Sequence, residues 1–226
     1  IFRTKSSVKD SSATRTRSLE KMLHSLLCYR AASLSGRLIR RGMFTVEEFV
    51  ESCRNALDEH TPELAIKEIV TSAMAEPHEL ESAFGTPSEA GTATLHRSPE
   101  LTILNIIWPP GIALYPHDHN LWAVIGLYGG QEDNTFYTRN LAGDGLVRTG
   151  TRVLESKETV LLAQDAIHAV QNPSPLYTGA IHVYGGDFFN EPRSQWASDS
   201  SAEEPYNVEQ VQRVFQLANE QWLSKQ

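Results

Sequence analysis

Cysteine is scarce in this chain, and long apolar runs are absent from it. The 226 residues include two cysteines, Cys28 and Cys53, which argues against a disulfide framework and favours a reducing compartment. No stretch of about 18 or more apolar residues occurs, so we expect no membrane span. The sequence therefore predicts a cytoplasmic globular protein with one domain, or at most two small ones.

Basic residues are outnumbered as well. The chain has 20 Lys and Arg against 28 Asp and Glu, which gives a formal net charge of -8. This balance argues against binding to nucleic acid or to an anionic membrane, because both require a positive surface. The charge is uneven, however, since residues 1–41 contain ten basic residues and only two acidic ones. The opening stretch and the acidic remainder thus differ in character.

Residues 1–42 are predicted to form a basic, Ser- and Arg-rich extension that is partly disordered. Residues 1–18 have too few large apolar side chains to offset the entropy of ordering. Apolar residues then recur at helical spacing, at Leu19, Met22, Leu23, Leu26 and Leu27. Two interpretations stay open: an amphipathic organelle-targeting segment, or an upstream extension with a loosely docked helix.

Residues 43–226 are predicted to form a single domain. Helices are expected over 43–85, where Thr45 and Glu48 have capping-box spacing, and over 207–224, where Asn207 can cap the helix.

The region between these helices has the residue pattern of a β-protein. We expect residues 85–94 to form a loop and residues 95–190 to form a β-barrel. Short apolar or alternating segments are separated there by Gly, Pro, Asn and Asp, which predicts an antiparallel sandwich or barrel. The predicted strands are 101–108, 112–115, 122–127, 135–139, 152–154, 159–162, 168–170 and 178–184.

Four of the eight histidines lie in the strand-rich half: His117, His119, His168 and His182. On a strand, His117 and His119 project from the same face, about 7 Å apart. Two imidazoles at that spacing can lean toward one metal ion. A third ligand must come from another strand, and His168 and His182 are the candidates.

Two residues lie at fixed distances from these histidines, since Gly111 precedes His117 by six positions and Asn172 follows His168 by four. The segments that these residues bound resemble the two motifs of the cupin superfamily. This resemblance implies a mainly β fold, the double-stranded β-helix or jelly-roll barrel, with a metal inside its mouth. The carboxylate that usually follows the His-x-His is missing from residues 120–124. The resemblance therefore implies a site made of three histidines.

A narrower resemblance covers residues 44–200. It lies in the segments PHDHNLWAVIGLYGGQEDNTFY, IHAVQNP, IHVYGGDFF and PRSQW. In these segments the chain is similar to the thiol dioxygenases, in particular the 3-mercaptopropionate dioxygenase and bacterial cysteine dioxygenase-like branch. This similarity implies non-haem iron(II) held by His117, His119 and His168.

The same resemblance implies roles for three further residues. His182 and Tyr184 match the His and Tyr of a Ser-His-Tyr triad beside the metal, but Ala180 stands at the serine position. Arg193 matches an arginine that binds the substrate carboxylate, a task for which a planar guanidinium is suited.

Three functions remain as hypotheses. The first is a dioxygenase that takes a small thiol carboxylate, 3-mercaptopropionate or cysteine, and O2 to the sulfinic acid. The second is another three-His cupin metalloenzyme, such as a carbon-carbon cleaving dioxygenase or an isomerase. The third is a non-catalytic cupin that binds a small molecule. Assembly into a homo-oligomer is a further expectation, because barrels with exposed edge strands commonly pair.

Overall fold

Three helices open the part of the chain that the computed structural model describes, residues 43–226. They are α1 (Val46–Ala56), α2 (Pro62–Met74) and α3 (Pro77–Phe84). Thr45 caps α1, because its hydroxyl oxygen accepts a hydrogen bond from the Glu48 backbone N–H at 3.3 Å. Both α2 and α3 begin with proline. Proline has no backbone N–H, and it is tolerated at this position because an N–H in the first turn has no partner within the helix. The predicted extension, residues 1–42, lies outside the described residues, and both interpretations of it stay predictions.

Eleven strands follow in the described chain, and all their pairings are antiparallel. The strands are β1 (Gly91–Arg97), β2 (Thr102–Trp108), β3 (Ala113–Asp118), β4 (Ala123–Gly129), β5 (Gln131–Arg139), β6 (Leu146–Glu155), β7 (Thr159–Leu162), β8 (Ile167–Gln171), β9 (Thr178–Tyr184), β10 (Ser194–Gln195) and β11 (Glu204–Pro205). One sheet has five strands in the order β1-β2-β9-β4-β7, and the other has six in the order β11-β10-β3-β8-β5-β6. Between β3 and β9 the chain passes repeatedly from one sheet to the other. This connectivity is that of a double-stranded β-helix, so the predicted fold is confirmed.

The strand bounds agree with the prediction best where the sequence is most apolar. Both β7 and β9 begin and end at the predicted residues. In contrast, β1 occupies part of the predicted loop 85–94 and begins at Gly91, before the predicted barrel start at residue 95. The residues of β1 are mostly exposed, so little apolar surface is buried there. The strand is stabilised instead by its backbone hydrogen bonds to β2. The long, largely exposed strand β6 is likewise held by pairing with β5.

The five-stranded sheet is buried on both faces. Its outer face packs against the three helices, through residues that include Phe49, Ile66, Val70, Met74, Ile103, Val124, Ile181 and Val183. Its inner face joins the other sheet in the barrel interior, through residues that include Leu104, Ile125, Leu127, Leu114 and Val170. Burial on both faces explains why these strands are nearly continuous apolar runs.

The last helix, α4 (Val208–Leu223), follows β11. Asn207 caps it as predicted, because its side-chain oxygen accepts a hydrogen bond from the Gln210 backbone N–H at 3.0 Å. The helix covers the barrel interior from one side, with the Phe215 ring centroid 4.9 Å from that of Trp108. Among the described residues, none of the helices has the length and apolar character that a membrane crossing needs.

Candidate metal centre

Strand β3 and the strand beside it bring the predicted ligands together. His117 lies near the end of β3, and His119 follows two residues later. In the antiparallel ladder, His117 pairs directly with His168 of β8. The ring centroids are 5.2 Å apart for His117 and His119, 4.7 Å for His117 and His168, and 5.0 Å for His119 and His168.

The three rings can hold one metal ion. One nitrogen from each ring lies within 4.8 Å of the others, and Nε2 of His119 and Nε2 of His168 are 3.3 Å apart. Metal-to-imidazole bonds of about 2.0 to 2.1 Å are compatible with such a triangle. His182, the other candidate for a third ligand, is outside this group.

Hydrogen bonds on the far side of two rings fix which nitrogen is free. His117 Nδ1 lies 3.1 Å from the carbonyl oxygen of Tyr115, and His168 Nδ1 lies 2.7 Å from Oδ1 of Asn134. An acceptor at Nδ1 keeps the proton there and leaves the Nε2 lone pair for a metal. The arrangement thus resembles that of metal-binding histidines, whose second nitrogen is usually hydrogen-bonded.

Burial keeps the three imidazoles neutral. Burial, opposed by the hydrogen bond to the Tyr115 carbonyl and reinforced by the Arg193 charge, lowers the pKa of His117 to about 4. Burial, followed by the charges of neighbouring histidines, holds the pKa values of His119 and His168 well below the usual 6.5. Neutral imidazoles are the form that binds metals, so the donor set fits a divalent transition metal near neutral pH.

Tyr184 and His182 lie beside the three histidines. The Tyr184 ring packs edge-on against His119, with centroids 5.0 Å apart, and its hydroxyl oxygen is 3.0 Å from His182 Nδ1. Ala180, two residues before His182, is fully buried and offers no hydroxyl. The predicted His-Tyr pair is therefore assembled without the serine of the related triad.

Arg193 is buried between two aromatic rings. Its guanidinium carbon is 3.8 Å from the Phe188 ring centroid and 4.0 Å from that of Tyr206. Only 8% of the residue is exposed, and Nε and Nη1 have no hydrogen-bond partner among the described residues. This environment differs from that of a surface arginine, and no described carboxylate forms an ion pair with it.

The two rings that enclose Arg193 also face the histidines. Phe188 stacks on Tyr184 with centroids 4.1 Å apart, and the Tyr206 ring is 5.8 Å from that of His117. The sequence analysis assigned neither Phe188 nor Tyr206 to the site. Both lie at the site because the chain after β9 folds back over the mouth of the barrel.

Glu132 and Asn134 on β5 were also missed by the sequence analysis. Both side chains are buried, and Asn134 Nδ2 donates a hydrogen bond to Glu132 Oε1 at 2.9 Å. Two polar residues separated by one position share a strand face, which here is the barrel interior. The only available signal was this spacing within the segment QEDN, because a polar pair on a strand ordinarily faces solvent.

No family model matches the chain. Among solved structures, it resembles an uncharacterized conserved protein with a double-stranded β-helix domain from Klebsiella pneumoniae, with 12% identity, a TM-score of 0.37, and coverage of 50% of this chain and 81% of that chain. It also resembles an RmlC-like cupin family protein from Methanocaldococcus jannaschii, with 13% identity, a TM-score of 0.36, and coverage of 44% of this chain and 83% of that chain. A third similar structure is a cupin superfamily protein from Desulfitobacterium hafniense, with 12% identity, a TM-score of 0.36, and coverage of 44% of this chain and 80% of that chain.

Proposed function

We propose that this protein is a non-haem iron(II) thiol dioxygenase, which converts a small mercapto acid such as 3-mercaptopropionate or cysteine, together with O2, to the sulfinic acid. The motif resemblance over residues 44–200 supports this reaction class. The observation that carries the proposal is the buried guanidinium of Arg193, in which two nitrogens, Nε and Nη1, have no hydrogen-bond partner among the described residues, beside a group of three neutral histidines.

The two aromatic rings offset part of the cost of burying the Arg193 cation, but no counter-ion among the described residues offsets the rest. An anionic substrate would supply that counter-ion. A carboxylate accepts charge-assisted hydrogen bonds from a guanidinium, and the rings of Phe188 and Tyr206 hold the Arg193 guanidinium in one orientation. Arg193 would therefore bind the carboxylate end of the substrate and direct the opposite end toward the histidines.

His117, His119 and His168 would hold the iron. When bound, iron(II) would favour the thiolate over the thiol and would supply the redox chemistry that O2 requires. Three neutral ligands leave the full charge of the ion unbalanced, which suits an anionic sulfur donor.

The reaction balances without an external reductant. The S–H bond releases its proton, the O–O bond breaks, and sulfur gains two S–O bonds, so that sulfur is oxidised while both oxygen atoms are reduced and retained in the sulfinate. The protein has two remaining tasks. Tyr184 would donate a hydrogen bond to the reacting group, and Phe188, stacked on Tyr184, would limit access of water.

Oxygen uptake by the purified chain tests the proposal. The metal content is measured first, and O2 consumption is then recorded with 3-mercaptopropionate, cysteine and cysteamine. We expect iron in the protein, uptake stimulated by the two carboxylate-bearing thiols, and a sulfinic acid detected by mass spectrometry. Bound iron without thiol-stimulated uptake would refute the proposal and favour another three-His metalloenzyme. Failure to bind any divalent transition metal would also refute it, in favour of a non-catalytic binding protein.

A further inference from the structure

Three buried polar atoms without a hydrogen-bond partner lie at one side of the candidate metal centre. They are Glu132 Oε2, His182 Nε2 and Trp108 Nε1. Glu132 is fully buried, and its Oε2 is 3.8 Å from His182 Nε2. Neither the three-His group nor the proposed binding of a carboxylate explains why a carboxyl group is buried at this position.

The other oxygen of Glu132 is already engaged. Oε1 accepts the hydrogen bond from Asn134, whose own side-chain oxygen is 2.7 Å from His168 Nδ1. Because Oε1 serves as an acceptor, a proton on the Glu132 carboxyl resides on Oε2, the oxygen that faces His182. One oxygen of the carboxyl group thus contacts Asn134, which is hydrogen-bonded to His168, and the other faces His182.

His182 has one proton to distribute between its two nitrogens. Burial lowers the pKa of His182 to about 3, so the ring is neutral, with one N–H and one lone pair. Its Nδ1 is 3.0 Å from the hydroxyl oxygen of Tyr184. If Nε2 carries the proton and faces Glu132 as a donor, Nδ1 accepts a hydrogen bond from Tyr184. If Nδ1 carries the proton and donates to Tyr184, Nε2 faces Glu132 as an acceptor.

We propose that Glu132 is a positioning residue, which sets the tautomer of His182 and, through it, the direction of the Tyr184 hydroxyl hydrogen. When Glu132 is ionised, the negative charge of Oε2, 3.8 Å away, favours a proton on His182 Nε2, and Nδ1 accepts the hydrogen bond of the Tyr184 hydroxyl. When Glu132 is protonated, that charge is gone and an Oε2–H faces Nε2, which favours a lone pair on Nε2 and an Nδ1–H that donates to the Tyr184 oxygen. Only in this second state is the Tyr184 hydroxyl hydrogen free to point toward the three histidines.

Both states are accessible near neutral pH. Burial raises the pKa of Glu132 to about 7, against the lowering effects of Asn134 and Trp108. The groups that face Glu132 are the Trp108 indole N–H from β2 and His182, with Tyr184 beyond it, from β9. His168 of β8 lies behind Asn134 and is neutral, because burial lowers its pKa. Within residues 43–226, neither Lys nor Arg pairs with the Glu132 carboxyl.

Nitrogen-15 NMR of the histidine side chains tests this assignment in the full chain, with diamagnetic zinc in place of iron. In the wild type, we expect His182 to carry its proton on Nε2 well above pH 7 and on Nδ1 well below it. In Glu132→Gln, the amide NH2 can donate to Nε2, so we expect the Nδ1–H tautomer across the whole range. Asp133→Asn is the matched control, because Asp133 pairs with Gln131 instead, and it should follow the wild type.

The proposal is overturned if the wild-type tautomer does not change with pH, or if Glu132→Gln and the wild type share one tautomer well above pH 7. The wild-type pH series requires no substitution, so it decides the question even where the variant does not fold. The tautomer is read without thiol turnover, so failure of this inference is distinguishable from failure of the proposed dioxygenase activity.

Discussion

Asp118, which separates His117 from His119, accepts a hydrogen bond at 2.7 Å from the backbone N–H of Ser194, the residue after Arg193. Its other oxygen accepts from Arg139 Nη2 at 2.9 Å. The segment that carries His117 and His119, at the end of β3, therefore also fixes the segment that carries Arg193. The spacing between the candidate ligands and Arg193 therefore depends on this buried side chain.

Removal of this anchor should weaken both stability and substrate binding. Asp118 is 1% exposed, so Asp118→Ala leaves the Ser194 N–H without its acceptor at a cost of about 1 to 3 kcal/mol in the free energy of unfolding. The Michaelis constant for the carboxylate-bearing thiol should rise at the same time, because Arg193 is no longer held. Urea denaturation and oxygen-uptake kinetics measure the two effects. Asp144→Ala is the control, since Asp144 is exposed, and equal behaviour of the two variants would contradict the anchoring role.

Arg193→Ala should discriminate between substrates. Loss of hydrogen bonds to a charged group costs about 1.5 to 3 kcal/mol, which corresponds to about a tenfold or greater rise in the Michaelis constant for 3-mercaptopropionate. Cysteamine lacks a carboxylate, so its constant should change little. Arg97→Ala is a matched control, because Arg97 also lies over a phenylalanine ring but pairs with Asp187 at the surface. An equal rise for both thiols would show that Arg193 does not bind the carboxylate.

His168→Ala should abolish stoichiometric metal binding. Two imidazoles remain in this variant, and they cannot complete the three-nitrogen group that the structure brings within 4.8 Å. Metal analysis after dialysis measures the bound ion, and thermal denaturation with and without added metal measures its contribution to stability. His78→Ala, at an exposed histidine, should bind metal like the wild type. Full metal occupancy in His168→Ala would remove His168 from the ligand set.

The metal-free protein should lose stability as the pH falls below 6.5. Burial lowers the pKa of His117 to about 4 and that of His182 to about 3, so the unfolded chain binds protons that the folded chain does not. Their contribution is complete above 6.5 and declines as the pH drops. Glu132 acts in the opposite direction, because burial raises its pKa to about 7 and its contribution declines as the pH rises toward that value.

The four buried histidines outnumber this one carboxyl, so the histidines should dominate the pH dependence. Urea denaturation at a series of pH values below 6.5 measures the free energy of unfolding, with His78→Ala as a variant that should keep the wild-type slope. A free energy that is constant over this range would show that the histidines are not buried as the structure has them.

The sequence predicted much of the fold because its strongest signals are local. The bounds of β7 and β9 follow from apolar runs between turn residues, and the caps of α1 and α4 follow from Thr45 and Asn207. The strand β1 could not be predicted in this way, because its residues are half exposed and only the ladder to β2 keeps them extended.

What the sequence determined by itself is the spacing of His117 and His119 in a β-rich chain, which predicts two imidazoles on one side of a strand, because a strand alternates its side chains with a period of two. In the structure, β3 ends between them, at Asp118. Tertiary structure decided which histidine joins them. The ladder between β3 and β8 places His168 opposite His117, while β9 puts His182 beside Tyr184 and Glu132 instead. It also decided the environment of Arg193, which depends on rings that precede it and follow it in the chain. Register between distant strands and burial of a charge are properties of the folded chain, and no local spacing encodes them.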